Sequence, residues 1–157
     1  MIVRAPLYDN GQTDEGAVFV YYGSSTGIHN PESWFAESDQ AGAQFGYSVA
    51  ATDLTFLPDF YSDIVVGAPY WDYASSDVGG VFVWYGGASG LGPNGIPSNA
   101  GDIVVVDLTN VGTHSGWSVA AGANMKYSQH PGIIIGVPDE ASGGLTGSGN
   151  ASAWYKP

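Results

Sequence analysis

Two stretches of the chain set aromatic rings beside carboxylates. Tyr8, Asp9, Asp14 and Glu15 fall within residues 7–15, and Tyr70, Trp71, Asp72, Tyr73 and Asp77 fall within residues 70–78. Exposed rings of this kind stack on the C–H faces of sugars, and the neighbouring carboxylates take hydroxyls or a basic protein patch. A second reading is that the acids shape their loops. Asp9 and Asp72, like Asp14 and Asp77, stand 63 residues apart, and Asp side chains commonly hydrogen-bond backbone two residues on. Catalytic constellations are harder to assemble. His29, His114 and His130 show no metal-ligand spacing with one another or with a carboxylate, and no phosphate-binding glycine loop has a following lysine. The adjacent acids Asp14/Glu15 and Asp139/Glu140 are the pairs that could serve a glycoside-active enzyme. Neighbouring acids on glycine-rich loops are usually just solvated, so binding rather than catalysis is the expected activity.

The rest of the composition describes the scaffold that must hold these loops. Among 157 residues, 24 are glycine, 13% are aromatic and only 11% are charged. That mix suits many short strands joined by tight turns and suits long helices poorly. Fifteen acids face only Arg4, Lys126 and Lys156, and a net charge of -12 repels phosphate backbones, which sets nucleic acid aside as a partner. The same surplus can recruit divalent cations. With no cysteine, disulfides, thiolate nucleophiles and cysteine zinc sites are excluded. No apolar run approaches the roughly 20 residues that span a bilayer, so no membrane insertion is expected. Met1-Ile2-Val3-Arg4-Ala5-Pro6 shows no secretion signal.

The chain repeats itself. Slid by 63 residues, Arg4–Ile28 falls on Gly67–Leu91 without a gap. Ala5-Pro6 then meets Ala68-Pro69, Gly16 meets Gly79, Val18-Phe19-Val20 meets Val81-Phe82-Val83, and Tyr22-Gly23 meets Tyr85-Gly86. At an offset of 70, Gly46-Tyr47-Ser48-Val49-Ala50-Ala51 falls on Gly116-Trp117-Ser118-Val119-Ala120-Ala121. Ile64-Val65-Val66-Gly67-Ala68-Pro69 has its counterpart in Ile133-Ile134-Ile135-Gly136-Val137-Pro138, and Trp154-Tyr155 takes the place of Trp84-Tyr85.

Each full unit reads as four short strands: a small-residue strand near Gly46–Ala51, an apolar run at Ile64–Gly67 expected to be buried on both faces, a β-branched and aromatic strand at Val81–Tyr85, and a fourth at Ile103–Val106. Four antiparallel strands repeated radially is the β-propeller plan. The fold expected is therefore all-β, with about three blades in an open or partial propeller: residues 1–37 as strands two to four of one blade, 41–110 as a complete blade, and 111–157 as strands one to three of another. Closed propellers need four to eight blades. Either the chain is part of a longer one or it is a homo-oligomer whose copies complete one another.

Phe45-Gly46-Tyr47-Ser48-Val49-Ala50, Asp63-Ile64-Val65-Val66-Gly67-Ala68-Pro69 and Gly80-Val81-Phe82-Val83-Trp84-Tyr85-Gly86 together resemble the FG-GAP repeat, which builds the propeller heads of integrin α subunits. The flanking copies depart from it: Arg4 replaces the glycine of Gly-Ala-Pro, and Ser115-Gly116 replaces Phe-Gly. The resemblance implies an extracellular or cell-surface module for adhesion or recognition, with a glycan or protein ligand. It also implies that the loops between second and third strands, Leu7–Glu15, Tyr70–Val78 and Asp139–Gly149, form the ligand face. The residues expected to meet ligand are Tyr8, Asp9, Asp14, Tyr70, Trp71, Asp72, Tyr73 and Asp77. A structural subunit that assembles itself into a ring or filament is the alternative.

The family often carries a calcium loop between first and second strands, D-x-[DN]-x-D-G-x-x-D. Its counterpart here is residues 53–63, which implies Asp53, Thr55, Asp59 and Asp63 as oxygen ligands for Ca²⁺. The loop is two residues longer, and Phe60 stands where the turn glycine belongs. The other reading is a metal-free loop in which Asp63 caps a strand end and Phe56, Leu57 and Phe60 pack against it. Asn150-Ala151-Ser152 fits a glycosylation sequon.

Overall fold

A computed structural model describes residues 1–55, 59–104, 111–126, 130–141 and 145–155. β1 (Ile2–Ala5) pairs antiparallel with β2 (Ala17–Val20), setting Ile2 opposite Val20 and Ala5 opposite Ala17. A small hairpin of β3 (Gly23–Ser24) and β4 (Gly27–Ile28) follows, and β5 (Trp34–Glu37) completes a sheet of order β1-β2-β5. β6 (Ser48–Thr52), β7 (Asp63–Ala68), β8 (Gly80–Trp84) and β9 (Asp102–Val104) form a four-stranded meander in chain order. β10 (Ser118–Lys126), β11 (His130–Val137) and β12 (Asn150–Tyr155) make a third sheet, again in chain order. All pairing within these sheets is antiparallel. The protein is all-β, in several antiparallel sheets consistent with partial propeller blades that do not close a ring. The strand expected at Ile103–Val106 is seen to Val104; residues 105 and 106 lie outside the described residues.

The sheets stack because β7 and β8 are apolar on both sides. Successive side chains of a strand point to opposite faces. Ile64, Val66 and Ala68 of β7 and Phe82 and Trp84 of β8 meet Val18, Val20, Trp34 and Ala36 of the first sheet, with Phe45 between them. Val65, Val81 and Val83 instead meet Ile133, Ile135 and Val137 of the third sheet, with Leu54. Every residue of β7 and of β8 is buried, as expected for Ile64–Gly67. Each large side chain so covered contributes about 1.5–3 kcal/mol. Aromatic edges lock the first interface: Trp34 meets Trp84 at 5.2 Å between centroids, and Phe45 meets Trp84 at 5.8 Å and 89°.

Backbone bonds tie neighbouring sheets at one end. Gly42, Gln44 and Phe45 donate their N–H groups to the carbonyls of Thr13, Asp14 and Glu15 at 2.8, 3.1 and 2.9 Å. Seventy residues later, Gly112, His114 and Ser115 donate in the same way to Ser76, Asp77 and Val78 at 3.0, 3.2 and 3.0 Å. The two halves of this staple are the two repeats found in the sequence, one at 63 and one at 70 residues. Asp14, Gln44, Asp77 and His114 all take left-handed backbone, with φ of 51°, 52°, 53° and 56°. A Cβ on Gly16 would overlap the backbone of Phe45, and one on Gly79 would overlap that of Ser115.

Gly79→Ala should therefore cost about 2 kcal/mol more than Gly42→Ala. Gly42 has a similar φ, 77° against 72°, but open space around it. Urea-denaturation midpoints of the two variants provide the check.

Candidate functional site

The loops before β2 and β8 are built alike, and most of their polar and aromatic groups serve the fold. Asp9 accepts the N–H of Asp14 at 2.7 Å, and Asp72 accepts that of Asp77 at 2.7 Å. Gly16 and Gly79 close the loops by donating to Tyr8 and Trp71 carbonyls at 3.0 and 2.9 Å. Tyr8 stands edge-on over Phe19 at 5.5 Å, and Trp71 stands edge-on over Phe82 at 5.0 Å. These two rings cover their own sheets. Tyr73 stacks on Trp71 at 5.3 Å and 22° and is 62% exposed, which leaves it the open platform of that loop. Gln40 reads the backbone of Asp72 with both ends of its amide, at 2.6 and 3.1 Å, joining the loop to the segment that carries the staple.

Beside these loops the structure assembles an aromatic cluster that sequence reasoning missed except for Tyr70. Tyr47 and Trp117 lie 4.8 Å apart, and Tyr70 lies 4.8 Å from His114 and 6.2 Å from Trp117. His114 Nδ1 meets Asp139 Oδ2 at 2.7 Å. Tyr47 and Trp117 precede the first strands of two adjacent sheets, while Tyr70 and Asp139 follow the second strands. Gly46 and Gly116, each at positive φ and each in close contact with a neighbouring sheet, set the two rings at that junction. Trp117 remains 37% exposed. The sequence marks Tyr47 and Trp117 as equivalent positions at the offset of 70, a signal of likeness and not of contact.

Within 53–63, the described carboxylates of Asp53, Asp59 and Asp63 face backbone. Asp53 accepts from the N–H and hydroxyl of Thr55 at 2.9 and 2.5 Å, and from the N–H groups of Asp59 and Phe60 at 3.1 and 3.3 Å. Asp59 accepts the N–H of Tyr61 at 2.9 Å. Asp63 is fully buried and accepts Leu54 N–H at 2.6 Å and Gly86 N–H at 2.7 Å, one on each oxygen. Among the described residues no three acidic or histidine side chains gather in a way that could hold a metal. Calcium wants six to eight oxygens, and Asp53, Thr55, Asp59 and Asp63 as placed do not supply that set. Phe60 does take the left-handed backbone of the missing glycine, at φ 68°, but it is 94% exposed. Phe56 and Leu57 lie outside the described residues.

Burial raises the pKa of Asp63, and the charges of Asp53 and Asp59 add to it, against the two N–H bonds. Asp53 moves the other way: desolvation would raise it, but the bonds from Thr55, Phe60 and Asp59 together hold it below the usual carboxylate value.

Gly23-Ser24-Ser25-Thr26-Gly27 spells G-x-S-x-G, yet it forms the exposed turn of the β3–β4 hairpin and is not the strand-to-helix bend a nucleophile requires. Glu15 is buried with Oε1 on the N–H of Asn10 at 2.5 Å, while Glu140 accepts from Asn150 Nδ2 at 3.0 Å. Glu15 and Glu140 thus hold their own loops, while Asp139 is engaged with His114. No helix among the described residues is long and apolar enough to cross a membrane.

The fold and this junction define an all-β array whose sheets share a loop-bearing end. No protein-family model matches the chain. It is similar to integrin alpha-6 of Homo sapiens, 28% identical over 138 residues, which is 87% of this chain and 11% of that protein. Similarity extends to integrin alpha pat-2 of Caenorhabditis briggsae, 29% identical over 85% of this chain and 10% of that one, and to integrin alpha-6 of Gallus gallus, 30% identical over 68% and 9%. The chain spans about a tenth of the length of these relatives. This weak likeness to integrin alpha subunits agrees in direction with the FG-GAP resemblance of the middle repeat.

Two outcomes are expected for the 53–63 loop. Asp63→Ala should cost about 3 kcal/mol in denaturant titrations, because it leaves two buried N–H groups without acceptors. Asp53→Asn should lower the melting temperature at pH 7. A depressed pKa contributes stability above the unfolded value of 3.8 and loses it as pH falls through the folded one, so the gap from the parent protein should shrink in acid.

Proposed function

We propose that the chain is a non-catalytic recognition module of an extracellular adhesion protein, and that its ligand is a glycan or a protein bound at the loop-bearing end. The observation that carries this reading is the junction of Tyr47, Tyr70 and Trp117 beside the His114–Asp139 pair, which brings rings from adjacent sheets to one partly exposed place. Tyr73 extends the same end outward. Aromatic faces with carboxylates alongside suit sugar rings and basic side chains alike. The likeness to integrin alpha subunits supports a cell-surface setting and an adhesion role. In this reading residues 1–37, 41–110 and 111–157 are successive blades of one propeller array. Of the ligand residues expected from sequence, Tyr70 and Tyr73 belong to this proposed surface, Asp14 and Asp77 stand in the neighbouring loops, and Tyr8, Asp9, Trp71 and Asp72 serve their own loops and sheets.

A second reading, a self-assembling subunit, draws on the apolar outer faces of the end sheets, where Val3 is 39% and Ile134 is 36% exposed. Discrete dimers or polydisperse polymers in light scattering would favour it.

Trp117→Ala and Tyr73→Ala should each weaken ligand binding about tenfold in a glycan and protein screen while leaving the melting temperature within a few degrees. Glycan binding should be insensitive to salt, whereas binding of a basic protein should fall steeply with it. Undiminished affinity in both variants would place the ligand elsewhere.

A further inference from the structure

The staple that joins neighbouring sheets occurs twice, and its two copies carry different side chains. Gln44 and His114 hold the same place in it, with φ of 52° and 56°, and each donates its N–H across the junction. Leu7 at the first junction answers to Tyr70 at the second, by the offset of 63. The backbone is thus closed as well by glutamine as by histidine, and the fold does not call for an imidazole here. Both sheets that frame the His114 junction lie inside the chain.

Two neighbours orient the imidazole. Tyr70 stands 4.8 Å from its ring at 68°, and Asp139 Oδ2 meets Nδ1 at 2.7 Å. A carboxylate accepts and does not donate, so Nδ1 supplies the proton of this bond. In the neutral ring Nε2 is then an acceptor. Neither Nε2 nor Oδ1 of Asp139 has a partner among the described residues. The pair therefore leaves two acceptors over, beside Trp117, whose ring centre is 6.1 Å from the imidazole.

This arrangement suits a sugar better than a basic side chain. A lysine or arginine of a ligand would compete with His114 for the Asp139 carboxylate, whereas hydroxyls use the acceptors that the pair does not consume. Acidic sugars are opposed by those same lone pairs and by the net charge of -12. We propose that, granting the recognition role of this junction, its ligand is an uncharged glycan. One pyranose ring lies on the face of Trp117 and donates hydroxyl protons to His114 Nε2 and Asp139 Oδ1. The His114–Asp139 bond sets the tautomer and so decides which ligand groups are read.

The test sets the whole chain against a panel of neutral oligosaccharides, their sialylated or uronic-acid counterparts, and polylysine as the basic probe, with calorimetric titration of what binds. Neutral glycans should bind, and acidic glycans and polylysine should not. His114→Gln installs the residue that the staple already holds at position 44. It should weaken neutral-glycan binding about tenfold, with a melting temperature within a few degrees of the parent protein. Asp139→Asn keeps an oxygen for Nδ1 but turns the second acceptor into a donor, and should weaken binding to a similar extent. Glycan binding that survives either variant yet is lost with Trp117→Ala would overturn the glycan assignment and leave the recognition role of the junction standing. Binding of polylysine in place of neutral glycans, or a preference for acidic sugars, would do the same. If no probe binds, or if Trp117→Ala changes nothing, both fall.

Discussion

In β7 and β8, neighbouring side chains belong to different interfaces. Ile64, Val66 and Phe82 look toward the first sheet, and Val65, Val81 and Val83 look toward the third. A sheet of three or four strands that is apolar on both faces cannot hide them by itself, so a second and a third sheet must lie against it. Once sheets stack this closely, the backbone at the junctions has no room for side chains. A Cβ on Gly67 would overlap the Gly116 carbonyl, and Ser48 Oγ donates to that same carbonyl at 2.7 Å. The small residues of the first strands and the left-handed turns of the staple both follow from this one requirement.

The repetitive part of this arrangement was legible in the sequence, because the physics behind it is local and periodic. A continuous apolar run such as Ile64–Val66 must be buried on two sides, and glycines at fixed offsets must answer the same steric demand twice. Less legible were the roles of polar groups. The types and spacing of Asp9 and Asp72 fit both ligand and loop, and in the structure one oxygen of each accepts an N–H five residues ahead. Trp71 and Tyr8 sit in loops and each folds back over a phenylalanine on its own sheet, with Tyr8 still 37% exposed. The Tyr47–Trp117 contact was beyond reach for a different reason. It joins residues 70 apart in sequence through the stacking of two sheets, and periodicity identifies equivalent positions without saying that equivalents touch.

The acidity of the chain takes on a different meaning at this level. A net charge of -12 suggests a surface made to collect cations, but the carboxylates of Asp9, Asp53, Asp59, Asp63 and Asp72 are directed at backbone N–H groups of their own loops. In a glycine-rich chain of short strands many N–H groups fall outside the ladders, and short acidic side chains are the nearest strong acceptors. Serving backbone and serving metal compete for the same lone pairs. Asp63 shows the competition at its sharpest, since burial penalises its charge while two N–H donors favour it.

The same economy of donors bears on why the end proposed to meet ligand is the one where aromatic rings gather. At the Tyr47, Tyr70 and Trp117 junction the backbone is already satisfied by the staple, with Tyr47 and Trp117 donating their own N–H groups to Gln44 and His114 carbonyls at 3.0 and 3.2 Å. Side chains there are released from that duty and can present ring faces outward. A site in this fold is therefore to be sought where backbone is closed by backbone, because only there are the side chains free to meet something else.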